Sequence, residues 1–181
     1  MERKTVLVTG IGGNVGQGVL RNIIDLNFDI FLIGTDVATF TAGNYLCDVT
    51  YKVPYAFDTN YISEISAIVE KHRVDIILPT TDYEVYFLSL NQYKIKSKVV
   101  ASDSSLAKKY LDKYLTYLHH QELNIPFAKT WLPSQFDKID GDIIVKPREG
   151  RGSRGIEINP ENPTSFSDEY LIQPLHKGKE I

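Results

Sequence analysis

Short apolar, β-branched runs alternate with stretches of helical spacing over the first hundred residues. Residues 5–9 (TVLVT) read as a buried strand and residues 10–16 as a glycine-rich turn. Val15, Val19, Leu20, Ile23 and Ile24 then recur at helical steps. Residues 30–34 (IFLIG) predict a second strand, and a weaker one over 49–53 stops at Pro54. Residues 61–71 put Ile62, Ile65, Ile68 and Val69 on one helical face. A strand over 74–78, a helix over 83–90 and a short strand over 99–101 follow. Buried strands separated by helices imply a parallel, doubly wound α/β sheet over about residues 1–105.

The texture then changes. Ser104 or Ser105 can cap a single helix over 106–123, with Leu111, Leu115 and Leu118 on one stripe. Short pieces at 128–131, 143–146, 155–158 and 170–173, divided by Pro and Gly, predict a small, mostly antiparallel sheet. The domains are therefore expected at 1–107 and 108–181. The last five residues carry neither a terminating helix nor a polar tail, so the chain is expected to stop inside a domain.

Composition narrows the class. The 181 residues are 43% hydrophobic and 24% charged, which fits a globular chain and not a disordered one. Twenty Lys+Arg against 23 Asp+Glu give a net charge of −3, with both signs scattered, so no electrostatic footprint for duplex nucleic acid is present. No apolar run is long enough to span a bilayer. Cys47 is the one cysteine, which excludes an intramolecular disulfide framework and a multi-cysteine metal site. With no signal peptide before the first strand, a cytoplasmic, soluble protein is expected.

Two glycine loops stand out. The first, Gly10-Ile11-Gly12-Gly13-Asn14-Val15-Gly16, lies between a predicted strand and helix, where a helix N-terminus offers N–H groups to an anion. Asp36 follows Gly16 by 20 residues, where the ribose-binding acid of a dinucleotide site would sit. A dinucleotide site and a plain close-packed βαβ turn both account for this loop. The second, Gly150-Arg151-Gly152-Ser153-Arg154-Gly155, matches G-x-G-x-x-G, but a strand-like stretch follows it where the dinucleotide fingerprint needs a helix. A glycine loop between antiparallel strands is instead a flap whose N–H groups can close over phosphates. Lys146, Arg148, Arg151 and Arg154 put four cations in nine residues there, which suits a polyphosphate or a solvated basic hairpin.

Other candidates carry less. Lys113 lies about 200° around the predicted helix from Leu111, on a face that meets solvent or a ligand. His119 and His120 are adjacent and diverge, and His72 and His176 lack ligand-spaced partners, so no metal site is expected. No Gly-x-Ser-x-Gly elbow is present, Cys47 stands in no nucleophile context, and no catalytic residue is assigned. Thr81 and Asp82 follow a strand where open α/β sheets bind ligands, so with Gly12 and Gly13 they are weak substrate-binding candidates. As a single role, the N-cap of the next helix suits Asp82 better.

Read together, the chain resembles the ATP-grasp superfamily. Asp112-Lys113, Asn124-Ile125-Pro126 leading to Thr130, Ile144-Val145-Lys146-Pro147, the flap at 150–155, Leu171-Ile172-Gln173 and Gly178-Lys179-Glu180 look like the first half of an ATP-grasp domain. The unit before it, with Val6-Leu7-Val8-Thr9-Gly10 and the stretch from Asp75 to Asp82, resembles the Rossmann-like preATP-grasp domain of the carbamoyl-phosphate synthase large subunit and its smaller relatives. The resemblance implies an ATP site: Lys146 and Lys113 on the phosphates, Gly152, Ser153 and Gly155 closing over them, Gln173, Leu175 and His176 as a hinge reading adenine through backbone groups, and Glu180 on the ribose. Pro174 departs from the pattern, since an acidic residue often follows the hinge glutamine.

The resemblance also implies that the Mg²⁺ ligands lie beyond residue 181, so this chain is expected to be inert alone. The complete protein would activate a small-molecule carboxylate as an acyl phosphate for an amine or other nucleophile. The alternatives are an NAD-dependent epimerase or reductase, and a non-catalytic nucleotide-binding subunit completed by a second chain. Against the reductase, none of the eleven tyrosines has Lys four residues on, the pair such enzymes use for proton transfer.

Overall fold

The computed structural model describes residues 3–150 and 152–178. The chain divides into two compact units, Met1–Lys108 and Lys109–Ile181.

The first unit is an α/β sandwich around a five-stranded parallel sheet of order β3-β2-β1-β4-β5. Its strands are β1 (Lys4–Thr9), β2 (Ile30–Asp36), β3 (Val49–Lys52), β4 (Ile76–Leu78) and β5 (Lys98–Val99). Alternation along β1 sends successive side chains to opposite faces. Val6 and Val8 join Ile11, Leu20 and Leu32 in the core beneath α1 (Asn14–Asp25). Leu7 joins Ile33, Ile77, Tyr61, Ile65, Ile68 and Leu88 in the larger core beneath α2 (Tyr61–His72) and α3 (Asp82–Leu90). The chain winds outward from β1 through β2 to β3, then crosses back to β4 on the other side of β1. That reversal opens a crevice at the carboxyl ends of β1 and β4.

The second unit departs from expectation at its start. The leucine stripe predicted one helix, whereas the chain forms α4 (Ser104–Leu111) and α5 (Lys113–Glu122), broken at Asp112. Asp112 is extended (φ −99°, ψ 114°), and its carboxylate accepts the Tyr114 and Leu115 N–H groups. An aspartate competes for backbone donors in a helix interior and satisfies them at an N-cap, so local chemistry overrides the stripe. Asp103, not Ser104 or Ser105, accepts the Ser105 N–H at the head of α4.

Beyond α5, β6 (Ile143–Pro147) pairs antiparallel with β7 (Glu157–Ile158) on one side and β8 (Tyr170–Pro174) on the other. Ile143, Val145 and Ile172 form the core of this sheet with Phe136, Ile139, Phe166 and Tyr170. The strand predicted at 128–131 reduces to a single bridge between Trp131 and Ile172.

Two glycines of α1 test the packing. A Cβ on Gly16 would lie 2.4 Å from the Gly10 carbonyl oxygen, whereas one on Gly18 meets nothing within 4 Å. Gly16→Ala is expected to destabilise the protein by about 2–3 kcal/mol through overpacking. Gly18→Ala should stabilise it by about 0.5–1 kcal/mol through helix propensity. Urea denaturation followed by circular dichroism measures both; changes of the same sign would contradict this packing.

Candidate functional site

The crevice of the first unit is filled largely by its own chain. Gly10 leaves β1 with φ +62°, and a Cβ there would meet Thr80 Oγ1 and Thr81 Cγ2 at 2.9 Å. The Gly12 N–H donates to Asp36 Oδ2 (2.8 Å) and the Gly13 N–H to the Gly10 carbonyl (3.1 Å). A Cβ on Gly12 would stand 2.8 Å from Thr41 Cγ2. Gly10 and Gly12 therefore have packing reasons, and the carboxylate that the spacing offered to a ribose is hydrogen-bonded to the loop itself.

At the head of α3 the N-cap is Thr81, and Asp82 is the first helical residue, which corrects the assignment of the cap to Asp82. Thr81 Oγ1 accepts the Glu84 N–H (3.3 Å) and donates to Glu84 Oε2 (2.8 Å). The Tyr61 hydroxyl donates to Glu84 Oε1 (3.2 Å). Burial raises the Glu84 carboxyl above the usual glutamate value, and the hydrogen bonds from Thr81 and Tyr61 only partly oppose it. Glu84 was not singled out from the sequence, although Thr-x-x-Glu before a helix is a capping-box signal.

The second unit gathers the basic candidates. Lys146 lies on β6 opposite Leu171, and Ile144 opposite Gln173, so these four share the sheet face away from the Val145–Ile172 core. Lys113 is the first residue of α5, and its Nζ donates to the carbonyls of Pro147 (3.3 Å), Arg148 (3.1 Å) and Gly150 (3.3 Å). The break at Asp112 thus replaces the expected outward face of one long helix with a position at the root of the glycine loop. Burial, and then the nearby charge of Lys113, lower the Lys146 ammonium from its ordinary value. Two cations in one electrostatic neighbourhood suit a polyanion, which would relieve both costs.

The loop joining β6 to β7 carries positive φ at Gly150, Gly152, Ser153 and Gly155. Ser153, at +54°, occupies a left-handed conformation that costs a non-glycine residue free energy. Arg148 does not join the cations offered to a phosphate: its guanidinium is bound to the Asp112 carboxylate. Arg154 is exposed on the loop, and Arg151 lies outside the described residues. Gln173 Nε2 donates to Thr130 Oγ1 (2.8 Å), and the Leu175 N–H donates to the Asp142 carbonyl (2.8 Å). His176 is exposed, and Glu180 lies outside the described residues.

Elsewhere, burial pushes the Cys47 thiol up to about 11, so it is no thiolate nucleophile at neutral pH. Among the described residues no group of three His, Cys, Asp or Glu side chains could hold a metal ion. No described helix is long and apolar enough to cross a membrane.

The family described as PylC-like, N-terminal domain, matches residues 7–102. No curated protein matches the sequence. Among solved structures, N5-carboxyaminoimidazole synthetase from Staphylococcus aureus, complexed with ADP, is similar with a TM-score of 0.72 and 12% identity, over 95% of this chain and 47% of that one. An L-amino acid ligase from Bacillus licheniformis gives 0.71 and 8% over 97% and 45%. The biotin carboxylase domain of Hydrogenobacter thermophilus 2-oxoglutarate carboxylase, with MgADP, ADP and bicarbonate, gives 0.66 and 16% over 95% and 44%. These are ATP-grasp enzymes, and the chain spans less than half the length of each.

The raised Glu84 carboxyl makes stability depend on pH. A group whose folded pKa exceeds its unfolded value adds stability that is fully present below the unfolded pKa, about 4.3 for glutamate, and is lost as pH rises through the folded value. The wild type should therefore lose stability relative to Glu84→Gln as pH rises from about 4.5 to 8. Thermal denaturation of both across that range gives the difference; a wild type that keeps or gains stability relative to the variant as pH rises would contradict the burial effect.

Proposed function

The chain belongs to the PylC-like N-terminal domain family, which matches just over half of it, and from that premise we propose that it is the preATP-grasp domain and the lid half of an ATP-dependent ligase. The preATP-grasp domain occupies 1–107 and the ATP-grasp portion 108–181. One observation carries the reading: Lys113 and Lys146 share an electrostatic neighbourhood at the root of a glycine-rich β-hairpin.

The residues fit the triphosphate of ATP on chemical grounds. Lys146 would contact the phosphates from β6. Lys113 would support them from α5, keeping or exchanging its bonds to the loop carbonyls. Gly152, Ser153 and Gly155 would present backbone N–H groups over the phosphates, as preorganised donors facing negative charge. Gln173, Leu175 and His176 would border adenine. With the Leu175 N–H already given to Asp142, neighbouring backbone groups would do the reading in this conformation. Glu180 would accept from the ribose hydroxyls.

ATP, when bound, supplies the phosphoryl group that activates a carboxylate for attack by an amine or other nucleophile. That reaction belongs to a protein of about twice this length, carbamoyl-phosphate-synthase-like on this reading, in which Mg²⁺ would be held by residues outside these 181. A second polypeptide supplying them is the other route to a complete site. Gly12, Gly13, Thr81 and Asp82 would border a carboxylate substrate at the β1–β4 crevice. The scattered charge and single cysteine support a cytoplasmic setting without nucleic-acid binding.

Two measurements test the proposal. In the natural gene product, Lys146→Met should weaken ADP binding at least tenfold, the scale of a lost charge-assisted hydrogen bond. An unchanged affinity, or tight NADH binding in its place, would return the chain to the dinucleotide reading. The purified 181-residue polypeptide should show no Mg²⁺-dependent ATP hydrolysis; measurable turnover would mean that it holds its own metal ligands.

A further inference from the structure

Asp112 is 6% exposed, and its carboxylate is saturated with donors. It caps α5 through the Tyr114 and Leu115 N–H groups, and it accepts Arg148 Nε at 3.1 Å on both oxygens and Nη2 on Oδ2. Burial raises this carboxyl, and the hydrogen bonds from Arg148 and the two amides more than reverse that, leaving it below the usual aspartate value. Arg148 is held on every side. Nη1 donates to the Asp168 carbonyl (3.1 Å), the guanidinium lies over the Tyr114 ring (5.4 Å), and its own N–H donates to the Glu169 carbonyl (2.9 Å). Its cleft is walled by Asp112, Glu149 and Glu169, a setting that repels phosphate.

The position of the pair gives it a task. Asp112 immediately precedes Lys113, and Arg148 lies two residues after Lys146. Between them, the Lys113 N–H donates to the Arg148 carbonyl (3.0 Å), and Lys113 Nζ reaches the same oxygen (3.1 Å). The ion pair therefore pins the first turn of α5 to the end of β6, and with it the Cα of one lysine to that of the other. We infer that Asp112 and Arg148 are a positioning pair that aligns Lys113 and Lys146 on one polyphosphate without touching it. The inference rests on the ATP reading for its ligand, and on the ion pair alone for its geometry.

Asp112→Asn removes the charge and keeps a good N-cap acceptor, so α5 persists. The test uses the natural gene product, a fluorescent ADP analogue, and the variants Asp112→Asn, Arg148→Met and the double variant. Each single change should weaken binding about tenfold, and the double change should be no worse than either, because both remove one coupled unit. If Arg148 touched phosphate directly, Asp112→Asn would leave binding unchanged or tighter, and that result overturns the inference. So does a double variant that loses the product of the two single effects.

If the wild type binds no nucleotide, the ATP reading fails, and a second readout decides the geometry alone. Reductive ¹³C-methylation followed by NMR gives the Lys146 titration. Release of Lys113 should move it upward in Asp112→Asn, since the neighbouring charge depresses it, whereas loss of the carboxylate alone would move it downward. An unshifted or lowered titration in Asp112→Asn overturns the inference.

Discussion

Bringing two ammonium groups together inside a protein is unfavourable, and the second unit is arranged around that cost. Lys146 is half-buried on a sheet face and depressed by burial and by Lys113. Three carbonyls of the loop entry accept from Lys113, which substitutes backbone dipoles for lost hydration. The bond network of Asp112 and Arg148 holds that loop entry against the first turn of α5. Such an arrangement stores electrostatic free energy that a polyanion would release on binding. On the proposed reading, the polyanion is the phosphate chain of ATP.

The first unit solves a different problem by steric means. Its strand order forces a crevice between β1 and β4, and the glycines at 10, 12 and 16 let neighbouring backbone and side chains approach more closely than any Cβ would allow. Glu84 sits buried at the same edge with Thr81 and Tyr61 on its oxygens. A carboxyl kept there against desolvation makes this edge polar beneath its surface, although the loop amides of Gly12 and Gly13 have partners within the chain.

Much of the architecture was legible in the pattern of residues. The β-branched runs, separated by helical spacing, placed all five parallel strands and α1 to α3, because buried parallel strands and one-sided helices leave distinct periodicities. The antiparallel hairpin around 150–155 was legible because 155–158 alternates after glycines, where a helix was excluded. The break at Asp112 was not, because Leu111, Leu115 and Leu118 continue a helical stripe across it and a cap is a local event that periodicity averages away. The strand expected at 128–131 reduces to the bridge between Trp131 and Ile172, and a 3₁₀ turn beginning at Pro133, which has no N–H for a ladder, keeps it from extending onward. Arg148 counted as a phosphate cation in the linear reading, since its aspartate partner is 36 residues away in sequence and adjacent only in the fold.

On the proposed reading, nucleotide occupies the lid unit and not the first glycine loop. Photolysis of the natural gene product with azido-adenine-labelled ADP, followed by peptide mass mapping, tests that directly. Label is expected in peptides containing residues 143–158 or 170–178, chased by unlabelled ATP and untouched by NADH. Label confined to residues 8–16, chased by NADH, would contradict it.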